Sequence, residues 1–254
     1  MPSRSAPDIV LLSSAGTLAG IDPLLRKAGV RFARIVAVVP QALEPRRWLQ
    51  HLSASRPPDT VIVTSQTAVE SGVRPWLRSR KGRVGAIEFW AAGPGTAKAL
   101  RSSGARQVKR APMLGAGGIQ ATLRRRAPRT ILYFRSDRAG SHLARRLRSF
   151  GHTVFDVVVY RLATTPVLRT RARHNLLDAH VLVATSPSVL SALRHGIDRR
   201  SFLKLVRHTR LVVLGERSQR AARGHGFRRV TVAPSTTAQR FTRYLLRELR
   251  DASS

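Results

Sequence analysis

The sequence predicts an α/β protein made of two similar lobes, each a parallel β-sheet flanked by helices, and three observations support this prediction. Apolar runs rich in β-branched residues recur along the chain. They are continuous rather than alternating, which is typical of strands covered on both faces. Each run leads into a small or hydroxyl residue and then into apolar positions at helical spacing. The third observation is an internal repeat.

The repeat relates the two lobes segment by segment. Three pairs of segments match in type: 9–29 with 131–151, 61–69 with 182–189, and 93–108 with 215–230. In the first and third pairs, equivalent glycines lie 122 positions apart. Because unrelated segments would not share one offset, we expect two copies of the same strand, turn and helix arrangement.

The individual elements follow in chain order. Strands are predicted at the apolar runs 9–12, 32–40, 61–63, 131–134, 153–160 and 182–184. Leu143, Leu147 and Phe150 have the spacing of a helix after the fourth of these runs. The two longest runs, 32–40 and 153–160, do not fit a simple tandem division of the chain. Either of them is therefore a candidate connector between the lobes.

Composition excludes several classes of chemistry. The chain has no cysteine, which rules out disulfide scaffolds, thiolate zinc sites, iron–sulfur clusters and cysteine nucleophiles. Only 13 acidic residues oppose 46 basic ones, which gives a formal charge of +33 and disfavours a carboxylate-rich metal cage. No apolar run approaches the roughly 20 residues that span a bilayer, and no secretory-signal pattern is present. We therefore expect a soluble cytoplasmic protein without a membrane partner.

The basic residues are spread over the whole sequence. Arginine accounts for 41 of the 46, and the only tight run is Arg124, Arg125 and Arg126. One interpretation is a bias toward arginine on solvated faces. The other is a cleft for a polyanionic ligand, where a few arginines would raise the local potential. Nucleic-acid binders usually concentrate their charge on one face or arm, and the sequence shows no such concentration.

Hydroxyl residues recur at the predicted turns between strand and helix. They are Thr64, Ser65, Thr96, Ser136, Thr185, Ser186, Ser188 and Ser218. Serine and threonine are favoured helix caps, so capping alone is one explanation for each of them. Their recurrence at corresponding turns in both lobes favours a second explanation, a ligand with many carboxylates or phosphates that is held largely by backbone amides.

Familiar catalytic motifs are absent from the sequence. The segment Gly93-Pro94-Gly95-Thr96 lacks the third glycine of a dinucleotide loop. No His-x-x-x-His or His-Glu-x-x-His pair and no Gly-x-Ser-x-Gly motif occurs. General acid chemistry would fall to Tyr160 or to a bound water. A tyrosine that closes an apolar strand is also well explained as an amphipathic residue at the rim of the core.

These segments resemble the uroporphyrinogen-III synthase family of tetrapyrrole biosynthesis. Six segments carry the resemblance in the family's order: 39–45 (Val-Pro-Gln-Ala-Leu-Glu-Pro), 61–69, 93–104, 158–161 (Val-Val-Tyr-Arg), 185–188 and 214–226. The resemblance covers most of the chain. It implies that the chain starts in the first lobe, builds the whole second lobe and then returns.

The resemblance also implies the domain boundaries. The first lobe comprises 1–36 and 163–254, and the second comprises 41–154. A two-stranded linker joins the lobes at 34–40 and 155–163, where we expect a hinge. A monomer is expected.

The reaction that the resemblance implies is the cyclisation of hydroxymethylbilane, a linear tetrapyrrole with acetate and propionate groups on every ring. Loss of the terminal hydroxyl as water gives an azafulvene, attack by the last ring gives a spiro intermediate, and reclosure inverts that ring. No metal or organic cofactor is expected. Such a polycarboxylate substrate would also explain part of the arginine excess.

The turns and the resemblance together give a set of candidate site residues. Tyr160 is the catalytic candidate, assisting departure of the hydroxyl. The substrate-binding candidates are Thr64, Ser65, Gly93, Thr96, Arg135, Ser136, Thr185, Ser186, Ser188, Gly215 and Ser218. The chain departs from the family pattern at Ser218, where threonine is usual, and at Ser13-Ser14-Ala15, where Thr-Arg-Pro is frequent. The alternative is a noncatalytic descendant of the same fold that binds nucleic acid or another polyanion.

Overall fold

Both halves of the structure contain parallel β-strands flanked by helices, and the α/β class that the sequence predicts is confirmed. The computed structural model describes residues 6–15, 17–53, 57–80, 86–113, 115–166 and 172–253. The chain divides into two compact units. Residues 1–39 and 163–254 form the first unit, and residues 40–162 form the second.

Strands and helices alternate along the chain. The strands are β1 (Ile9–Ser14), β2 (Phe32–Ala42), β3 (Thr60–Val63), β4 (Glu88–Ala91), β5 (Gln107–Arg110), β6 (Thr130–Ser136), β7 (Thr153–Thr164), β8 (Val181–Ala184), β9 (Arg210–Val213) and β10 (Val230–Val232). The helices are α1 (Asp22–Lys27), α2 (Pro45–Ser53), α3 (Gln66–Ala68), α4 (Arg74–Ser79), α5 (Pro94–Ser102), α6 (Ala116–Leu123), α7 (His142–Arg148), α8 (Ala172–Asp178), α9 (Pro187–Gly196), α10 (Arg199–His208), α11 (Glu216–Gly224) and α12 (Ala238–Ser253). A π-helical turn, Val69–Val73, joins α3 to α4.

The first unit contains a parallel sheet in the order β10-β9-β8-β1-β2. The chain first forms β1 and β2, and much later adds β8, β9 and β10 on the other side of β1. The direction of winding therefore reverses between β1 and β8. Such a switch point leaves a crevice at the carboxyl ends of the two strands, where open α/β sheets bind their ligands.

The second unit has the corresponding strand order, β7-β6-β3-β4-β5. Here β3, β4 and β5 are formed first, and β6 and β7 are added on the other side of β3. The switch point of this unit therefore lies between β3 and β6. The matching strand orders are the structural counterpart of the internal repeat.

Both faces of the strands are buried, which explains why their sequences are continuously apolar. In β3 of the second unit, Val61 and Val63 pack into one core cluster and Ile62 packs into another. In the first unit, alternate residues of β1, Ile9 and Leu11, pack with the helical residues of the same cluster. Helices on both sides of each sheet complete these cores. No helix in the described part of the chain is long and apolar enough to cross a membrane.

One predicted helix ends earlier than its apolar spacing suggests. Phe150 was expected on the helix with Leu143 and Leu147, but α7 ends at Arg148. The chain leaves the helix through Gly151, whose φ of +88° lies in the left-handed region that glycine adopts without strain. Phe150 still packs against the core cluster of Leu143 and Leu147, so its spacing reflects a core contact rather than a helical turn.

Glu88 forms the centre of a charge cluster in the second unit. Its carboxylate accepts hydrogen bonds from Lys109 Nζ at 2.6 Å and from Trp90 Nε1 at 3.2 Å, and it lies 3.2 Å from Arg126 Nη1 and 3.1 Å from Arg129 Nη1. Burial by itself raises the pKa of Glu88. The hydrogen bonds from Lys109 and Trp90 and the charge of Arg129 outweigh burial and hold the pKa below its usual value of 4.5.

Replacing Glu88 by glutamine is expected to lower the free energy of unfolding by about 1–2 kcal/mol at neutral pH, since charged hydrogen bonds are stronger than neutral ones. The depressed pKa means that the carboxylate stabilises the fold above the unfolded-state pKa and loses this effect as the pH falls through the folded-state pKa. Urea titrations should therefore show a difference from wild type that shrinks below about pH 4.5. Glu70→Gln, which breaks an exposed pair with Arg74, is the control and should change little. A pH-independent difference would contradict the charge-based explanation.

Candidate functional site

The candidate site of the second unit lies at the carboxyl ends of β3 and β6, the switch point of its sheet. Val63 pairs with Phe134 of β6 on one side and with Ala91 of β4 on the other. The residues that follow these three strands therefore come together at one edge of the sheet. Among the predicted site residues, this register groups Thr64, Ser65, Gly93, Thr96, Arg135 and Ser136.

Tyr160 joins this group through a hydroxyl pair. Its Oη lies 3.1 Å from Oγ of Ser65, and either atom can donate the hydrogen bond. Ser65 Oγ also accepts a hydrogen bond from the backbone N–H of Ala68 at 3.1 Å, so it caps α3. Because that N–H occupies one lone pair of Ser65, the serine hydroxyl is held in place beside Tyr160. The capping explanation and the site explanation therefore both apply to Ser65.

A β-bulge brings Tyr160 to this edge. The β6–β7 ladder runs in regular register from Thr130 to Arg135, and then shifts so that Ser136 pairs with Tyr160. Bulges re-aim side chains and are common beside functional sites. The β1–β2 ladder of the first unit has a shift at the corresponding place, between Ser13 and Ser14. Tyr160 is 7% exposed and packs against the core, so it also has the contacts of a rim residue.

Arg135 forms an ion pair within the second unit. Its Nε donates to Asp156 Oδ1 at 2.5 Å, its Nη2 donates to Asp156 Oδ2 at 3.1 Å, and its Nη1 donates to the Ser136 carbonyl at 3.0 Å. Three of its five N–H groups are thus used inside the protein. The two side chains are 13% and 10% exposed. Arg135 therefore holds the strand ends together.

Tyr133 was not predicted, and it packs in the core cluster of Ile62 rather than in that of Tyr160. Its side chain is hydrogen-bonded to Thr64, so Tyr133 and Thr64 form a second polar pair near the carboxyl ends of β3 and β6. Burial raises the pKa of Tyr133 above 10, the Thr64 hydrogen bond opposes this effect, and the nearby negative charge of Asp156 adds to it. The phenol therefore stays protonated at neutral pH. In the sequence, nothing distinguishes Tyr133 from the other residues of its apolar strand. Only the strand register shows that it lies near Thr64.

Gly93 and Thr96 occupy the start of α5. Gly93 is the N-cap residue in an extended conformation, and no side chain caps this helix, so its first amides and its positive dipole end are not covered by a capping oxygen. Thr96 is buried in the first turn. Gly95 allows Gln66 to approach closely, because an added Cβ would lie 2.4 Å from Gln66 Nε2. Gln66 is a second residue of this edge that the sequence analysis missed.

The first unit repeats this arrangement at its own switch point. Ser186 caps α9 by accepting from the Val189 N–H at 3.4 Å, and its Oγ lies 2.9 Å from Oγ of Ser188. Thr185 Oγ1 is a buried atom with no hydrogen-bond partner among the described residues. Gly215 is the uncapped N-cap of α11, as Gly93 is for α5, and Ser218 is buried in the first turn as Thr96 is.

A cavity of about 530 Å³ lies beside β7 in the second unit. Its charged and polar lining comes from Glu44, Arg47, His51, Asp156 and Arg161. Arg161 directly follows Tyr160 in the sequence, and Asp156 is the partner of Arg135. The cavity is thus lined by the partner of Arg135 and by the residue next to Tyr160. Within the described residues, no group of three or more His, Cys, Asp or Glu side chains is placed to hold a metal ion.

Comparisons with known proteins agree with this fold. The family model described as uroporphyrinogen-III synthase HemD matches residues 8–243. A mutant uroporphyrinogen III synthase from the extremely thermophilic bacterium Thermus thermophilus superposes with a TM-score of 0.70 at 14% identity, covering 96% of this chain and 99% of that one. The wild-type protein in another crystal form gives 0.52 at 15% identity, covering 97% and 99%. The synthetase from Helicobacter pylori 26695 gives 0.60 at 17%, covering 95% and 99%. A comparison with curated protein sequences gave no match.

Proposed function

Because the chain belongs to the uroporphyrinogen-III synthase family, we propose that it cyclises hydroxymethylbilane to uroporphyrinogen III, with loss of water and inversion of the last pyrrole ring. The observation that carries this proposal is the Ser65–Tyr160 hydroxyl pair at the switch point of the second unit. A phenol held by a capping serine is a proton donor of fixed position. Its place is the edge of the sheet where α/β proteins bind ligands.

The first step is the departure of the terminal hydroxyl. The carbon–oxygen bond breaks as Tyr160 Oη donates its proton, so the leaving group is water rather than hydroxide. The Ser65 hydroxyl can turn its hydrogen toward the phenolate oxygen that this transfer creates, which stabilises the developing charge. The azafulvene remains as its cation, protonated on the ring nitrogen, and this electrophile needs no external cofactor.

The following steps require confinement more than acid or base chemistry. The substituted carbon of the last ring attacks the azafulvene carbon, and the resulting spiro intermediate fragments and recloses with that ring inverted. The pyrrole proton released on rearomatisation balances the proton that left with water. The protein contributes by holding the ends of the chain near one another, which replaces a large entropic cost.

The carboxylate arms of the substrate need several anion-binding groups. The uncapped start of α5 offers backbone amides behind Gly93, and Thr96 belongs to the same turn. Arg47 and Arg161 line the cavity beside β7 and suit bidentate contact with carboxylates. The net charge of +33 would draw a polyanionic substrate toward the protein and raise the association rate.

Removing the Ser65 hydroxyl tests the proton-donor pair. Ser65→Ala is expected to lower kcat by about fivefold, because a positioning hydrogen bond is worth about 1 kcal/mol and each 1.4 kcal/mol corresponds to about tenfold in rate. The lost cap costs about 1 kcal/mol of stability. Asp198→Ala, which removes the cap of α10 in the first unit, is the control and should match the stability loss without the loss in kcat. Equal kcat values in the two variants would sink the assigned role of Ser65.

The experiment that tests the proposed function follows hydroxymethylbilane, generated enzymatically, in the presence of the purified protein. The proposal predicts that the bilane disappears much faster than by spontaneous cyclisation. It also predicts that dialysis against a chelator leaves the rate unchanged. Consumption at the spontaneous rate, at all protein concentrations, would refute the proposal.

A further inference from the structure

Helix α10 of the first unit presents an almost wholly cationic outer face. Its buried positions are Ser201, Phe202, Leu205 and Val206. Its exposed positions are Arg199, Arg200, Leu203, Lys204, Arg207 and His208. The two sets alternate at helical spacing, so each turn of the helix exposes at least one cation on its outer side. Four cations of one short segment, Arg199, Arg200, Lys204 and Arg207, therefore share this outer face.

The buried side of α10 fixes this face in position. Phe202 makes edge-to-face contacts with the rings of Phe227 and His225, with centroids 5.8 Å and 6.4 Å apart. Arg194 of α9 stacks on the Phe202 ring at 5.0 Å. Asp198 caps the helix by accepting from the Ser201 N–H at 2.9 Å. The outward cations are thus carried by a helix that is packed and capped.

The cations of α10 differ from other cations of the first unit in their ion pairing within the described part of the chain. No ion pair of Arg199, Arg200, Lys204 or Arg207 occurs there, whereas Arg34 and Arg210 of the same unit pair with Asp22 and Glu248. A concave surface of about 740 Å³ lies over these side chains, and no carboxylate lines it. The unpaired charges therefore face one shared cavity that is open to a ligand.

Arg207 and His208 in the last turn suit the negative end of the helix dipole, but the charges of the first turn do not serve the stability of the helix. Arg199 and Arg200 lie in the first turn, where the positive end of the helix dipole disfavours cations, and the N-cap carboxylate of Asp198, which precedes that turn, accepts hydrogen bonds from Ser201. Repulsion between neighbouring cations adds to this cost. Solvation alone does not require a face of one sign, because mixed charges solvate equally well. A polyanion bound to this face would offset both costs.

From this geometry we propose that the outer face of α10 binds the sugar–phosphate backbone of a duplex nucleic acid. The cations repeat every four residues, which is about 6 Å along the helix, so the face spans about 12 Å. One strand of B-DNA carries a phosphate about every 3.4 Å of axis, and the face therefore spans about four phosphates. A duplex also releases condensed counterions when it meets four cations, a gain that an acidic protein surface does not offer.

The proposal is independent of the synthase reaction, because no residue of α10 belongs to the candidate site. The test measures binding of fluorescent duplexes of mixed sequence, one DNA and one RNA, by anisotropy at about 50 to 200 mM salt. The variant carries Arg199→Gln, Arg200→Gln, Lys204→Gln and Arg207→Gln, which preserve helix propensity. A charge-matched control carries Arg78→Gln, Arg101→Gln, Arg125→Gln and Arg243→Gln, at exposed positions elsewhere.

The expected result is a slope of log affinity against log salt that is about 3 to 4 units shallower in the α10 variant than in the wild type, and nearly unchanged in the control. If the α10 variant loses affinity for only one of the two duplexes, that duplex identifies whether the bound backbone belongs to DNA or to RNA. Equal losses in the α10 variant and the control would overturn the proposal, because binding would then follow net charge. Failure of the wild type to bind either duplex would overturn it as well. The proposal would also be overturned if the wild type bound polyglutamate through the α10 cations and bound neither duplex.

Discussion

Tyr160→Phe is expected to lower kcat by about 10² or more while leaving the melting temperature within a few degrees of wild type. The substitution removes only the phenolic oxygen that faces Ser65 at 3.1 Å. Loss of a positioned general acid costs about 10²- to 10⁴-fold, whereas loss of one hydrogen bond costs about 1 kcal/mol of stability. The ring still fills its place against the core. The measurement is kcat with hydroxymethylbilane beside thermal unfolding of the same sample.

Tyr244→Phe is the matched control for this prediction. Tyr244 is also a buried tyrosine, 9% exposed, and its hydroxyl is hydrogen-bonded to Glu248 in the first unit. Removal of this oxygen should cost a similar amount of stability and leave kcat unchanged. If Tyr160→Phe lowers the melting temperature strongly and kcat only in proportion, Tyr160 is a structural rim residue and the assigned role is wrong.

Asp156→Ala is expected to cost about 3–5 kcal/mol of unfolding free energy, the largest stability effect that we predict. The substitution leaves the guanidinium of Arg135 without its partner in a place where the two side chains are only 13% and 10% exposed. An uncompensated charge at that depth is far costlier than the loss of a surface ion pair. Chemical denaturation at neutral pH measures the change.

A double variant separates the cost of an orphaned charge from the value of the ion pair. Arg135→Met combined with Asp156→Leu removes both charges and keeps the volume, so it should recover most of the stability that Asp156→Ala loses. If Arg135 also binds a substrate carboxylate, the double variant will show a raised KM at restored stability. An Asp156→Ala variant within about 1 kcal/mol of wild type would mean that water screens this pair.

Much of the fold could be predicted from the sequence because its signals are local. The continuous runs at β1 and β3 required strands covered on both faces, and the parallel ladders have this arrangement. Phe150 shows the limit of such signals, since a core contact and a helical turn leave the same apolar spacing. Glycine at position 151, with φ of +88°, was the feature that decided between them.

The candidate site could be predicted only in part, because its pairings are long-range. Hydroxyls at strand ends pointed to Ser65, and the family resemblance pointed to Tyr160, but only the register and the bulge at Ser136 put the two hydroxyls together. Tyr133 was missed because nothing in a buried strand marks the residue that will face Thr64. The internal partner of Arg135, Asp156, was missed for the same reason.

The distribution of charge shows the same limit. Counting basic residues along the sequence gave a dispersed pattern. Such a count does not show which cations share a helix face, because neighbours in sequence point in different directions on a helix. The fold of α10 sorts them, burying Phe202 and Leu205 and leaving the cations outside. Charge patterns should therefore be assessed on helix faces rather than along the chain.

The most direct test of the central claim is the ring isomer of the product. Hydroxymethylbilane made enzymatically is given to the purified protein, the product is oxidised, and the type I and type III uroporphyrins are separated by chromatography. Because spontaneous closure gives the type I isomer and only inversion of the last ring gives type III, we predict predominantly type III. Type I at the spontaneous level, from folded protein, would contradict the proposed activity.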